Sequence, residues 1–318
     1  MMKGRAGKRR TKPNCSKRFA PASCGCRGIR FYEDNVNSER KWILRGGRVL
    51  NPAPFCLIGI VNVTPDSFSD GGKYIDPRNA VAHALRLLDE GAGMLDLGAE
   101  STRPFAEPVP EGEEIARLMP VVAGLRGQRP EAILSVDTLK AGTARAALEG
   151  GADIINDVSA CAADPMLLDV LAEYKPGYVL MHSQGSPREM QVNPHYGNVV
   201  EEILAFFERN LARLVKAGLP EDRIVLDPGI GFGKNKEHTV AILKGLERFA
   251  SLGRPLYVGL SRKSMFREIL GLELEQRAEA TRMAVALLAA RGIPYHRVHD
   301  IAGCAQALRL VEAMTPLA

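Results

Sequence analysis

Eight apolar runs in this 318-residue chain each carry, at or just beyond their ends, side chains that can do chemistry: Asn62, Asp96, Asp137, Asn156, His182, Asp227, Ser261 with Lys263, and Arg297 with His299. Asp137, Asn156 and Asp227 offer hydrogen-bond acceptors and an amide, a set suited to a flat heterocycle presenting an amine and a ring N–H. Lys263 adds a cation for a carbonyl oxygen on such a ring. Asn62, Arg297 and His299 add donors suited to phosphate, which arginine can grip in bidentate fashion. Brought together, these residues make a base pocket beside an anion pocket. Each also has a plainer reading, because an Asp after a strand often caps the next helix, and that is the expected role of Asp157 and Asp164.

Residues this far apart in sequence need a scaffold that gathers strand ends. The strand-like runs are Leu57 to Val61, Met94 to Leu97, Ile133 to Val136, Ile154 to Val158, Tyr178 to Met181, Ile224 to Leu226, Leu256 to Leu260 and Tyr295 to Val298. Leu57 to Val61 is rich in β-branched residues and carries no polar side chain, as suits a strand buried on both faces of a parallel sheet. Helical patterns fall between the runs at Asn79 to Glu90, Glu113 to Leu125, Ala141 to Glu149, Val199 to Ala217 and Arg277 to Ala290, with Gly91, Gly150, Gly218 and Gly292 closing several of them. Eight such units predict an α/β fold, a TIM (β/α)8 barrel, whose eight carboxyl strand ends converge on one mouth. A doubly wound open sheet is the alternative. It is disfavoured because no Gly-x-Gly-x-x-Gly follows the first strand and polar residues mark nearly every strand end. A hairpin around Gly46 and Gly47 is placed to plug the barrel floor.

Composition sets outer limits. With 46% hydrophobic and 25% charged residues, the chain matches a globular protein with a large core. The net charge of +5 is misleading, since residues 1 to 32 hold ten Lys or Arg and no acid, leaving 32 basic against 37 acidic residues beyond them. A nucleic-acid footprint therefore belongs only to a disordered basic extension, residues 1–40, ahead of a barrel domain at 41–318. Its acid-poor, Arg-rich make-up fits a transit peptide, a misassigned start or a plain extension equally. No apolar run is long enough to cross a membrane. Cys15, Cys24, Cys26, Cys56, Cys161 and Cys304 lack the paired spacing of a zinc site or a disulfide framework, which points to the cytoplasm or an organelle matrix.

The stretch that opens the barrel, NVTPDSFSDGG at 62–72, does not stand alone. In order follow GAESTRP (Gly98 to Pro104), SVDTLK (Ser135 to Lys140), ADIINDVSA (Ala152 to Ala160), VLMHSQG (Val179 to Gly185), LDPGIGFGK (Leu226 to Lys234), GLSRKSM (Gly259 to Met265) and RVHD (Arg297 to Asp300). Eight ordered segments from about Ile58 to Met314 resemble the dihydropteroate synthases, pterin-binding TIM barrels. The resemblance implies condensation of 6-hydroxymethyl-7,8-dihydropterin pyrophosphate with 4-aminobenzoate to give dihydropteroate and pyrophosphate. It implies that Asp137, Asn156, Asp227 and Lys263 hold the pterin, and that Asn62, Arg297 and His299 hold the pyrophosphate with Mg2+ at Asn62. Phe68, Asp70, Thr102, Arg103, Phe232, Lys263 and Ser264 shape the aminobenzoate pocket. Catalysis falls to Lys263, Arg297, His299, Asp70 and Arg103. A homodimer, two small-molecule substrates, no nucleic-acid or membrane partner, and sulfonamide sensitivity come with the family.

Three positions depart from the family pattern. Ala99 stands for a Gly, Ser183 for a Met, and Phe105 for the Gly after Thr-Arg-Pro. A Gly can take positive φ beside a ligand where a Phe does so only at a cost, so the loop after the second strand is expected to follow another path, with Phe105 against the aminobenzoate ring or on the surface. Two other readings share the barrel. A corrinoid-linked pterin methyltransferase should lack NVTPDSF and SRKS, and a non-catalytic pterin-binding relative should lose loop or anion residues; the chain keeps both stretches and retains Arg103, Lys263, Arg297 and His299.

Overall fold

Side chains alternate along a β-strand, so a residue and the one two places on share a face. That rule organises the molecule. The computed structural model describes residues 41–52, 54–64, 76–100, 108–185 and 194–314. Phe68, Asp70, Thr102, Arg103, Phe105 and residues 1–40, expected above to shape a pocket or to form a tail, lie outside the described residues.

A two-strand hairpin comes first, β1 (Trp42–Ile43) with β2 (Val49–Leu50), antiparallel around a tight turn at Arg45–Gly47. Eight parallel strands follow: β3 (Cys56–Asn62), β4 (Met94–Gly98), β5 (Leu134–Asp137), β6 (Ile154–Asp157), β7 (Gly177–Met181), β8 (Ile224–Asp227), β9 (Tyr257–Val258) and β10 (Tyr295–Val298). They neighbour one another in chain order, β10 returns to β3, and a parallel bridge from Leu226 to Leu256 joins the remaining edge. The backbone amide of Leu226 donates to Pro255 O at 2.9 Å across that seam. Helices cover the outside: α1 (Pro77–Asp89), α2 (Glu111–Gln128), α3 (Ala141–Glu149), α4 (Leu167–Tyr174), α5 (Val199–Ala217), α6 (Lys236–Lys244), α7 (Leu246–Ala250), α8 (Met265–Leu270), α9 (Arg277–Ala290) and α10 (Ile301–Met314). This is the expected (β/α)8 barrel.

Two details differ from the sequence reading. The seventh barrel strand is only Tyr257–Val258, because the chain turns away at Gly259 into the Ser261–Ser264 loop instead of continuing to Leu260. Gly150 closes α3 but stays right-handed (φ −71°), and the left-handed turn falls on Gly151 (φ 106°).

The barrel interior is layered. Ile58, Met94, Ile154, Val179, Val225, Tyr257 and Tyr295 form a buried apolar cluster with Trp42, Leu44 and Leu50 of the hairpin, which closes the floor. Trp42 stacks edge-on against Tyr295 (5.5 Å) and Tyr257 (6.5 Å) and donates its indole N–H to Arg223 O at 2.7 Å. Two residues further along, the same inward faces carry Asp96, Asn156, Asp227 and Arg297. Register sets Asn62, Gly98, Asp137 and Asn156 side by side across four strands. Apolar below and polar above is thus a consequence of the period of two. Trp42→Ala should destabilise the protein by about 3–5 kcal/mol by opening a cavity in the floor. Denaturant titration measures this, and ligand affinity of the remaining folded protein should be unchanged because the floor lies below the polar layer.

Candidate functional site

The polar layer is built around Asp96, whose carboxylate is fully buried. Its Oδ1 accepts from Ser135 Oγ at 2.6 Å, and its Oδ2 accepts from Asn156 Nδ2 at 2.9 Å and Arg297 Nε at 2.6 Å. Arg297 Nη2 also donates to Asp137 Oδ2 at 3.1 Å. One carboxylate therefore fixes the serine, the amide and the guanidinium in a single network, where each bond holds the others in place. The bond to Asp96 fixes which way the Asn156 amide points, and leaves its oxygen and its second N–H for a ligand.

Electrostatics follow from this crowding. Burial pushes the Asp137 carboxyl up to about 7, reinforced by the like charge of Asp96 and opposed by Arg297. Burial also raises Asp227, while the Gly229 amide, which donates to its Oδ1 at 2.7 Å, and the charges of Lys263, Lys234 and Arg297 pull it back. Lys263 is pushed down by burial to about 8, with Asp227 working the other way. Arg297 stays firmly charged, since Asp96 and Asp137 outweigh its loss of water.

Lys263 is aimed by a strained loop. Arg262 sits in the left-handed region (φ 57°), where a residue with a Cβ is costly, and is held there by its amide donating to Thr281 Oγ1 at 3.1 Å and its carbonyl accepting from Arg277 Nη1 at 3.2 Å. The Lys263 ammonium then donates to Ile230 O at 2.7 Å and lies 4.2 Å from the Phe232 ring centroid, a cation–π contact. Ser264 is exposed beside it at the start of α8. His299 is oriented by Ser261: its amide donates to Ser261 Oγ at 3.2 Å, and Nδ1 lies 2.9 Å from the same oxygen. Asn62 ends β3, half-buried.

The chain that carries this layer matches the pterin-binding enzyme family over residues 58–299. The dihydropteroate synthase of Escherichia coli strain K12 is 41% identical over 257 residues, 81% of this chain and 90% of that one. The solved structure of Xanthomonas albilineans dihydropteroate synthase with 4-aminobenzoic acid is 42% identical, with a TM-score of 0.80 over 87% of this chain and 99% of that one. The chain belongs to the dihydropteroate synthase family. A structure of the Xanthomonas enzyme in complex with 7,8-dihydropteroate is 40% identical, with a TM-score of 0.77 over 87% of this chain and the whole of that one.

The structure thus brings together, of the residues singled out in the sequence, Asp137 and Arg297 by direct bonds, Asn156 through Asp96, Lys263 with Phe232, and Asp227 under the charges of Lys263 and Arg297. Asp157 does not cap the next helix, which starts only at Leu167; it ties down the turn after β6, accepting from Ser159 N, Ser159 Oγ, Cys161 N and Tyr178 Oη. Asp164 likewise accepts from Ala141 N and Met166 N. Among the departures from family pattern, Ala99 is buried with its carbonyl accepting from Arg117 Nη1 at 3.0 Å, so the extra methyl is absorbed into the core. Functional-looking groups with no assigned role in the sequence reading include Asp96, Ser135 and Lys234. The available signal was spacing: Ser135 lies two residues before Asp137, on the same inward face. Asp96→Asn should move the Asp137 titration down from about 7, because a like charge beside it is removed while Arg297 is freed to pair with it. Carboxyl-carbon NMR of labelled aspartates measures that midpoint.

Proposed function

We propose that the barrel mouth condenses 6-hydroxymethyl-7,8-dihydropterin pyrophosphate with 4-aminobenzoate, giving 7,8-dihydropteroate and pyrophosphate. The observation that carries this reading is the Asp96-centred layer, with Asp137, Asn156 and Asp227 as acceptors and Lys263 over Phe232, in a chain of the synthase family. The pterin's amine and ring N–H groups meet Asp137, Asn156 and Asp227, and its carbonyl oxygen meets Lys263. Arg297 and His299 face the pyrophosphate. In the reaction the carbon–oxygen bond to pyrophosphate breaks, the bond from the arylamine nitrogen to that carbon forms, and the nitrogen gives up one proton. Arg297 and His299 stabilise the charge that grows on the departing oxygen, and the donor set needs no protein nucleophile. Phe232, beneath Lys263, gives an aryl substrate an aromatic wall.

Magnesium fits the donor set as a companion of the substrate. Among the described residues no group of three His, Cys, Asp or Glu side chains converges to hold a metal, and Asn62 offers one hard amide oxygen. Mg2+ keeps waters and is held largely by substrate phosphates, so one such oxygen suffices. When bound it would neutralise pyrophosphate charge. Among the described residues no helix is long and apolar enough to cross a membrane.

A second copy of the chain is the partner this reading expects. Met283 and Leu287, one turn apart on α9, and Leu310 and Met314, one turn apart on α10, are 60, 68, 60 and 73% exposed on adjacent helices. Light scattering should report a dimer for the parent and a monomer for the Leu287→Glu, Leu310→Glu double variant; a monomeric parent would exclude the pairing.

The function itself is tested with purified protein, the pterin pyrophosphate and labelled aminobenzoate, with and without magnesium, where absence of dihydropteroate would refute it. Asp227→Ala should weaken binding of a pterin by roughly 1–3 kcal/mol or more, about five- to 150-fold, because ring donors are left buried without an acceptor. Calorimetry with the variant and parent decides this.

A further inference from the structure

Behind Asp227 lies a second lysine with unusual surroundings. Lys234 is 3% exposed, and its ammonium lies 2.9 Å from Phe232 O, 3.2 Å from His182 O and 3.0 Å from His182 Nδ1. All three partners are uncharged. His182 is kept neutral, pushed down to about 3 by burial and then by the lysine itself, and its ring is pinned edge-on against Phe206 at 4.8 Å. Among the described residues no carboxylate bonds Lys234, and the anion whose charge acts on it is Asp227. Gly229 stands between the two groups. Its amide holds Asp227 Oδ1, and a Cβ built on it would lie 3.4 Å from the Lys234 ammonium and 1.9 Å from His182 O. The loop from Gly229 to Gly233 therefore wraps the ammonium, with Gly229, Gly231 and Gly233 all in the left-handed region (φ 65°, 85° and 65°).

A buried ammonium is costly to hold unless something requires it. We propose that Lys234 is a positioning residue, which locks the carbonyls of His182 and Phe232 from inside the loop and supplies the counter-charge that keeps Asp227 an ionised acceptor for the pterin. This role rests on the reading of Asp227 as a pterin ligand. The groups acting on Asp227 are the Gly229 amide, Lys263 from the Ser261–Ser264 loop, Arg297 from β10, and Lys234 from behind. Each cation favours the carboxylate, so removing Lys234 raises the pH at which Asp227 protonates. Burial pushes Lys234 down to about 7, so it carries its charge on the acid side of that value. Asp137, whose acidity is governed by Asp96 and Arg297, serves as an internal reference.

Two substitutions separate charge from hydrogen bonding. Lys234→Met removes both, and Lys234→Gln keeps a donor for the carbonyls without the charge. In full-length protein labelled at the aspartate carboxyl carbon, with the Asp227 resonance assigned by its loss in Asp227→Asn, both variants should raise the Asp227 midpoint by at least ~0.5 pH unit and leave Asp137 in place. Affinity for 6-hydroxymethylpterin, by calorimetry near that midpoint, should fall at least about threefold. If Lys234→Met does not fold, the glutamine variant alone decides. A folded Lys234→Gln with an unmoved Asp227 midpoint overturns the role while the parent still binds pterin. A parent that binds no pterin takes down the proposed function and this role together.

Discussion

A fully buried carboxylate needs partners, and the pairing of Asp96 with Arg297 inside the barrel is the constraint from which the site's geometry follows. Removing one member of such a pair typically costs about 3–5 kcal/mol, because the other charge is left in a medium that cannot solvate it. Arg297 is therefore bound to lie across the mouth, 3.1 Å from Asp137, where its charge opposes the upward push that burial and the neighbouring Asp96 give that carboxyl. Asn156, donating to the same Asp96 oxygen as Arg297, loses the freedom to flip its amide. A ligand meets groups whose orientations are already settled, so ordering them does not have to be repeated on each binding event.

The layer is separated from the stabilising core by two residues on each strand. Beneath it the hairpin places Trp42 among Tyr257, Tyr295 and aliphatic side chains. This division follows the general behaviour of (β/α)8 barrels, in which the amino end of the strands carries stability and the carboxyl end carries chemistry. It also explains why the site tolerates three carboxylates, Asp96, Asp137 and Asp227. Their mutual repulsion is absorbed by Arg297, Lys263 and Lys234, not by the hydrophobic packing below.

Much of this was legible in the sequence, for identifiable reasons. Strands buried on both faces read as apolar runs, and seven of eight were placed within one residue of their ends; the exception, Leu256 to Leu260, contracted because Gly259 and the strained Arg262 redirect the chain. Helix limits at Ala141–Glu149, Val199–Ala217 and Arg277–Ala290 matched outright. Motif order led to Asp137, Asn156, Asp227, Lys263, Arg297 and His299. Harder to see was which of several acids would be the hub. Phase along a strand tells which face a side chain occupies, but the closure of the barrel decides that Asp96 on β4 meets Arg297 on β10, 201 positions away. Lys234 was hidden for a different cause. A lysine closing a glycine-rich segment reads as surface, and only the wrapping of that segment around its ammonium buries it.

That wrapping shows what the glycines in LDPGIGFGK are for. A Cβ on Gly229 or Gly233 would lie 1.9 or 2.6 Å from the His182 or Gln184 carbonyl oxygen, where none fits, and one on Gly231 would lie 3.0 Å from the Lys263 stem. Tyr196 Oη donates to Gly233 O at 2.9 Å from the other side. The segment is thus clamped between two lysines, one inside and one above, with Asp227 at its start and Phe232 at its crest. A loop so constrained is a rigid part of the site despite its glycine content. Both lysines act on one carboxylate, Asp227, and each is pushed down by burial, to about 7 for Lys234 and about 8 for Lys263. Their charges are therefore sensitive to what fills the mouth: an anionic group would strengthen them and a neutral, donor-rich ring would leave them to Asp227.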